Sequence, residues 1–276
     1  MYTAAGPLRR RLLRWYDRSG RDLPWRRTRD PYAVLVSEVM LQQTQVARVV
    51  PAYDAFLRRF PTLRALSRAP LGDVLRAWSG LGYNRRARDL HRIARAVPGA
   101  LPLTPDALDA LPGVGAYTAG AVACFGGGVR TAFADTNIRR VLGRIVLGRI
   151  ATEREAVEID RELLPRDAAR WHHALMDLGA TVCVARAPRC PACPVAAVCR
   201  SRGRVAAPER RREAAFATST RRLRGLALRR LVAAPGGVPR ARLERDLADA
   251  RATSVVDGLA RDGLVTISRG RVRLPG

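Results

Sequence analysis

The chain has 276 residues, 47% of them hydrophobic, which suits one large domain or two modest ones and excludes a disordered protein. Fifty Lys and Arg against 24 Asp and Glu give a formal charge of +26, so the expected partner is a polyanion, nucleic acid before a membrane surface. No apolar run approaches the ~20 residues that span a bilayer, and Arg9, Arg10, Arg11 and Arg14 lead into no secretory-type stretch, so a cytoplasmic protein without membrane attachment is expected. Every one of the basic residues is arginine, so a coding bias contributes to the surplus.

The first 200 residues read as helix after helix. Trp15-Tyr16-Asp17 reads as the start of a folded helix. Asp30-Pro31 is an N-cap and first-turn pair that opens a helix through Leu41. A second runs from Thr44 to Arg59 with a kink or break at Pro51, and Phe60-Pro61 stops it. Pro70 precedes another, ending at Ser79-Gly80, and Arg85 to Val97 follows, closed by Pro98-Gly99. Thr104-Pro105 opens a short helix to Leu111, the glycine-rich turn at 112–115 leads into Tyr117 to Phe125, and Asp135 begins a helix to about Leu147. Alternation of strand type is absent until the last dozen residues, so this part is all-α.

Residues 204–220 lie in a polar, arginine-rich stretch and are read as a linker. Beyond it, helices at about 221–234, 239–249 and 252–262 precede Leu264 to Ile267, a turn at Ser268-Arg269-Gly270 and a return through Arg271 to Leu274. That order suggests a small winged-helix-like α+β module over 221–276, of a kind that binds DNA or other proteins.

Four of the five cysteines, Cys183, Cys190, Cys193 and Cys199, form C-x6-C-x2-C-x5-C, with Pro188, Pro191 and Pro194 stiffening the loop. Thiols at this density bind a cubane iron–sulfur cluster or a tetrahedral zinc, and their clustering points to a reducing compartment rather than a disulfide framework. Cys124, on an apolar helix, is read as core. Leu111-Pro112-Gly113-Val114-Gly115 either exposes backbone N–H groups at a helix start, as a DNA phosphate requires, or is a tight turn between helices.

Glu38 has Val34, Leu35, Leu41 and Gln42 three and four positions away, three of them apolar. A carboxyl group set against such a surface keeps its proton to higher pH and can serve as a general acid; the alternative is an exposed glutamate whose stem covers apolar neighbours. Gln42 and Gln43 beside it could read or replace a base. Asp135 and Asn137 read as helix-start residues, Asp135 as the N-cap.

Ser37-Glu38-Val39-Met40-Leu41-Gln42-Gln43-Thr44-Gln45, Gly80-Leu81-Gly82-Tyr83, Leu111-Pro112-Gly113-Val114-Gly115 and the cysteine loop stand in an order that resembles the MutY-type adenine DNA glycosylases, in the helix-hairpin-helix superfamily that includes endonuclease III. The resemblance covers roughly residues 8 to 200. It implies a [4Fe-4S] cluster on the four cysteines, a six-helix part over about 30–134, and a cluster part from 1–29 and 135–203. It implies that Glu38 protonates adenine N7 and that Asp135 stabilises the oxocarbenium-like sugar. Asn137 and Tyr117 would line the pocket, Gln43 and Tyr83 would push into the base stack, and Arg26, and more weakly His173, would stand beside the extruded adenine. Leu41, Gln42 and the 113–115 turn would contact DNA. The partner is then double-stranded DNA with adenine opposite 8-oxoguanine or guanine, met by a monomer in a bacterial nucleoid.

Bifunctional relatives cut the strand through a lysine just after the hairpin; Tyr117 stands in that region and the chain holds no lysine, so an abasic site is the expected product. The family's usual C-terminal domain is MutT-like and helps recognise 8-oxoguanine; Arg200 to Gly276 is shorter than the ~100–150 residues of a typical full domain and its end reads as a winged helix, which leaves discrimination of 8-oxoguanine from guanine open. Two other readings stay open: a thymine or uracil mismatch glycosylase of the same fold, and an iron–sulfur DNA-binding regulator without enzymatic activity.

Overall fold

A computed structural model describes residues 4–97, 99–204 and 216–276; Pro98 and residues 205–215 of the expected linker lie outside the described residues. In chain order the helices are α1 (Ala5–Ser19), α2 (Pro31–Leu41), α3 (Val46–Arg59), α4 (Leu63–Arg68), α5 (Leu71–Ala77), α6 (Arg85–Ala96), α7 (Pro105–Asp109), α8 (Ala116–Phe125), α9 (Thr136–Leu142), α10 (Glu153–Leu163) and α11 (Ala168–Thr181). A π-helical turn, Gly143–Leu147, continues α9. The C-terminal segment adds α12 (Thr220–Val232), β1 (Val238–Pro239), α13 (Arg240–Leu247), α14 (Ala252–Arg261), β2 (Thr266–Ser268) and β3 (Arg271–Arg273). Among the described residues no helix is long and apolar enough to cross a membrane.

Several boundaries differ from the sequence expectation. Trp15-Tyr16-Asp17 closes α1 rather than opening it, because the buried stripe of Leu8 and Leu12 sets the helix earlier and Pro7 is tolerated in a first turn. α3 starts at Val46, with Gln45 as N-cap, and carries Pro51 inside without a break. Between Pro61 and Pro70 stands α4, started by Thr62, whose hydroxyl accepts the Ala65 N–H (3.1 Å). α10 opens on a capping box in which Thr152 and Glu155 satisfy each other's backbone N–H groups.

The chain divides into two compact units. One comprises Met1–Leu35, Pro102–Ala110 and Val114–Arg210; the other comprises Val36–Leu101, Leu111–Gly113 and Arg211–Gly276. In the first, α1 and α9 pack on α11 around Leu8, Leu12, Ile138, Trp171 and Leu178. Gly179 of α11 permits that approach, since a Cβ there would stand 2.7 Å from the Asn137 Cβ. In the second, α3 to α6 enclose Phe56, Leu66, Trp78, Leu90 and Ile93, with Phe56 and Trp78 edge to face at 5.9 Å. Burying side chains of this size contributes about 1.5–3 kcal/mol each.

The C-terminal helices α12, α13 and α14 pack on one another, and their sheet has the order β1-β3-β2, antiparallel throughout. Both β1 and β2 pair with β3 at Val272, which is fully buried. This module lies against the helices of its own unit: Gly72 N–H donates to Pro275 O (2.7 Å) and Arg88 Nη1 to Asp262 O (2.6 Å).

Candidate active site and cysteine pocket

Helix α2 is apolar all round, and residues 32–40 are all buried. Ser37 and Glu38 are the polar side chains in that run, and Glu38 is 6% exposed, so it is not the solvated glutamate that the sequence also allowed. Leu41 and Gln42 at the helix end are half-buried and Gln43 is exposed.

Gln43 (φ 55°) and Tyr83 (φ 46°) both occupy the left-handed region, which costs a residue with a Cβ roughly 1–2 kcal/mol. Arg86 binds the backbone around both. Its Nη1 donates to Val39 O (2.7 Å) and Met40 O (2.9 Å) in the last turn of α2 and to Gln42 O (2.6 Å) just past it. Its Nη2 donates to Thr44 Oγ1 (3.1 Å), Leu81 O (3.3 Å) and Gly82 O (3.1 Å). The guanidinium lies 5.4 Å from the ring centres of both Trp78 and Tyr83. Burial pushes its pKa down to about 10, and the neutral acceptors around it bring no compensating charge beyond a small contribution from Tyr83.

In the glycine turn, Gly113 has φ 74°, and a Cβ there would meet Asp89 side-chain atoms at 3.0–3.4 Å. Val114 is buried, and exposed Gly115 is the N-cap of α8, which packs against α7. A helix start with an exposed glycine cap can turn first-turn N–H groups toward an anion.

In the other unit Asp135 is the N-cap of α9: the Ile138 N–H donates to its Oδ1 (2.7 Å) and Asn137 Nδ2 to its Oδ2 (2.8 Å). Asn137 is held in turn by Arg140 Nη2 (2.8 Å), which also donates to Gly179 O (2.7 Å), while Arg140 Nε donates to Cys183 O (2.7 Å). Tyr117 meets Phe133 edge to face at 5.7 Å. Phe133 stacks on His172 at 3.9 Å, and its N–H donates to the fully buried Asp160, which also accepts from Trp171 Nε1 (2.7 Å) and bonds His172 Nε2 (2.7 Å). That network fixes the segment that leads into Asp135.

Arg26 forks onto Asp177 through two 2.8 Å bonds, and Arg21 adds Nε (2.7 Å) and its backbone N–H (2.8 Å) to the same buried carboxylate. Burial works against both charges, yet the hydrogen bonds prevail, holding Asp177 below the usual carboxylate range and Arg26 above its own. His173 stacks on Phe125 at 4.2 Å beside this pair; desolvation and then the Arg26 charge push its pKa down to about 3, so its imidazole is neutral.

Cys183, Cys190, Cys193 and Cys199 line one pocket of about 410 Å³, open solvent at its mouth included, with Val141, Ile145, Leu178 and Val195 among its apolar walls. Short 3₁₀ turns at Cys190–Ala192 and Ala196–Val198 present the sulfurs, and none is in a disulfide. Arg144, on the π-helical turn, donates to Cys183 Sγ (3.4 Å), Val184 O (2.8 Å) and Ala185 O (2.7 Å), and its own carbonyl accepts the Ser201 N–H (3.1 Å). Desolvation pushes the Cys193 thiol up to about 11 and raises Cys199 as well. Among the described residues no three His, Cys, Asp or Glu side chains are grouped to hold a single metal ion.

The expected residues thus fall into two sets: Glu38, Leu41, Gln42, Gln43, Tyr83 and Gly113 in one unit, and Arg26, Val114, Gly115, Tyr117, Asp135, Asn137, His173 and the four cysteines in the other. Sequence reasoning passed over Arg86, Arg140, Arg144 and Asp177. Arg140 had a faint signal, three residues after Asn137 on a helix; the rest bond backbone carbonyls or partners far along the chain.

The family described as HhH-GPD superfamily base excision DNA repair protein matches residues 36–166. The chain is 44% identical to an adenine DNA glycosylase of Mycolicibacterium smegmatis over 96% of its own length and 95% of the relative's. It is 45% identical to one of Mycobacterium tuberculosis over 96% and 92%. Among solved structures it is similar to a thermostable thymine-DNA glycosylase, with TM-score 0.67 and 29% identity over 72% of this chain and 96% of that one.

Proposed function

We infer the chemistry from kinship: the chain belongs to the adenine DNA glycosylases of the HhH-GPD superfamily of base excision DNA repair proteins. It is an adenine DNA glycosylase, a hydrolase of the N-glycosyl bond in base excision repair. Its substrate is double-stranded DNA in which adenine stands opposite 8-oxoguanine or guanine, and it acts as a monomer.

In the reaction adenine leaves the base stack, at a cost of a few kcal/mol that Gln43 and Tyr83 offset by filling the stack and the 113–115 amides by holding a phosphate. Glu38 passes its proton to N7. The N9–C1′ bond then breaks with its electron pair going to the base, and the Asp135 carboxylate faces the positive charge left on the sugar. Water adds at C1′ and gives a proton back to the Glu38 carboxylate, and the products are free adenine and an abasic site. Asn137 and Tyr117 shape the sugar side. Neutral His173 offers one N–H and one lone pair to an adenine edge beside Arg26. With no lysine to form a Schiff base, the strand stays uncut.

The carrying observation is the burial of Glu38, which is what a carboxyl group needs to keep a proton for a purine nitrogen. Removing a pyrimidine has no use for an N7 proton donor.

The all-sulfur donor set fits a [4Fe-4S] cluster held by Cys183, Cys190, Cys193 and Cys199. The four cysteines line one pocket, and kinship with the adenine DNA glycosylases favours a cluster there over one zinc ion. Such a cluster would tie residues 183–199 into one rigid loop. The C-terminal module is read as winged-helix-like, on its order of three helices, β1 and hairpin.

The test offers duplexes with A opposite 8-oxoguanine, A opposite guanine and T opposite guanine, followed by alkali. Breakage at adenine is expected, with Glu38→Gln slowing single-turnover release by about 10²–10⁴-fold while DNA binding and far-UV dichroism persist. Breakage at thymine, or at no base, would overturn the reading.

A further inference from the structure

Tyr83 touches the C-terminal module as well as its own helices. Arg221 Nη1 donates to the Tyr83 hydroxyl, and the Arg221 guanidinium lies 5.2 Å from the Tyr83 ring centre, while Arg86 stands 5.4 Å from the same ring. Arg221 also lies 5.4 Å from the ring of Phe216, which is 58% exposed. The tyrosine is thus held by cations at its ring and its hydroxyl, in a backbone conformation that an L side chain adopts only under constraint.

The module is in turn clamped near that point. Asp262, just past α14, accepts from Arg85 Nε (2.9 Å) and Nη2 (2.7 Å) and from Arg224 Nη2, and its carbonyl takes the Arg88 bond. Burial alone would raise the Asp262 pKa, but the Arg85 and Arg224 hydrogen bonds hold it below the usual carboxylate range. Arg85 and Arg88 flank Arg86 on α6, so one helix carries the residues that anchor the module and the residue that binds the Gly80–Tyr83 turn.

We propose that the C-terminal module is a buttress for the DNA wedge, with Arg221 as a positioning residue that fixes Tyr83 for entry into the base stack and Asp262 as the clamp. The proposal rests on Tyr83 acting as a wedge. A side chain that separates stacked bases meets a restoring force, and a tyrosine braced by two guanidinium groups yields less than one that can relax to an ordinary backbone angle. The other role open to an exposed arginine, a direct phosphate contact, predicts different behaviour.

The full chain is tested as Arg221→Met, Tyr83→Ala, the double variant and Asp262→Asn. Single-turnover adenine release is measured on a duplex with adenine opposite 8-oxoguanine, and a 2-aminopurine beside the mispair reports stack opening. Arg221→Met is expected to slow release and to reduce the fluorescence rise by roughly tenfold, the worth of one charged hydrogen bond. In the Tyr83→Ala background the same change should add nothing, and Asp262→Asn should give a smaller loss of the same kind. Binding to a fully paired duplex should keep its salt dependence. Additive effects, an unchanged Arg221→Met, or a salt slope lower by about one would overturn the proposal. A wild-type chain that opens the stack but releases no adenine would count against the assigned reaction and leave the buttress standing.

Discussion

The two units secure their site residues by opposite means. Around Asp135 each polar group answers another: Asn137 and Ile138 orient the carboxylate, Arg140 orients Asn137, and the nearby Arg26 and Asp177 cancel each other's charge. Around Gln43 and Tyr83 the backbone is strained, and what restrains it is a half-buried arginine bonded to neutral carbonyls. In the roles proposed above, the first arrangement would suit a group that must hold still while charge develops beside it, and the second would store strain in residues that press on the base stack.

The contrast is broken most severely at Asp177. Asp177→Asn leaves Arg21 and Arg26 without their charge partner, and a stability loss of about 3–5 kcal/mol is expected from urea titration. Arg86→Met removes the restraint in the other unit. It should cost about 2 kcal/mol and slow adenine release, with Arg86→Lys recovering only part of the loss because an ammonium cannot reach acceptors on both sides of the fork.

Acid distinguishes the groups in the first unit. The folded His173 pKa of about 3 lies below its unfolded value near 6.5, so its contribution is present above pH ~6.5 and is lost as pH falls toward 3. Asp177, also depressed, begins to lose its contribution only below its unfolded value near pH ~4. The His173 share of stability should therefore decline from about pH 6.5 by at most ~1.4 kcal/mol per unit, in addition to any share from His91, whose pKa burial also lowers, and His173→Asn should make the curve less steep between pH 6.5 and 4. The smallest effect has the opposite sign: Gln43→Gly relieves the left-handed strain and should stabilise the chain by about 0.5–1 kcal/mol while slowing excision. A destabilised Gln43→Gly variant would remove strain from the account of this unit.

Much of the helical order was legible because it is written locally. Asp30-Pro31 marks the start of α2, and Asp135 marks that of α9, through residue types that satisfy backbone groups within three positions. α4 hid behind its brevity, and β1, two residues long, is too short to alternate. At the candidate site the sequence pointed to side chains of a type that can bear chemistry and passed over those that hold them. Arg86 has backbone carbonyls as partners, which leave no trace in residue identity. Asp177 meets Arg26 across 151 positions, and the four cysteines announced a pocket without announcing Arg144 beside it.

The π-helical turn at Gly143–Leu147 places one more residue in its loop than an α-turn would use. Deleting Val146 would let the segment close as ordinary helix, swinging whatever follows by about 100° about the axis. Arg144 and Ile145, whose carbonyls accept the Ser201 and Arg200 N–H groups at 3.1 Å, stand before that point, so the loop they hold would lose its match to the chain beyond Leu147. The surplus residue works as a gear tooth, meshing a straight helix with a sulfur-lined loop that starts nearly forty residues downstream.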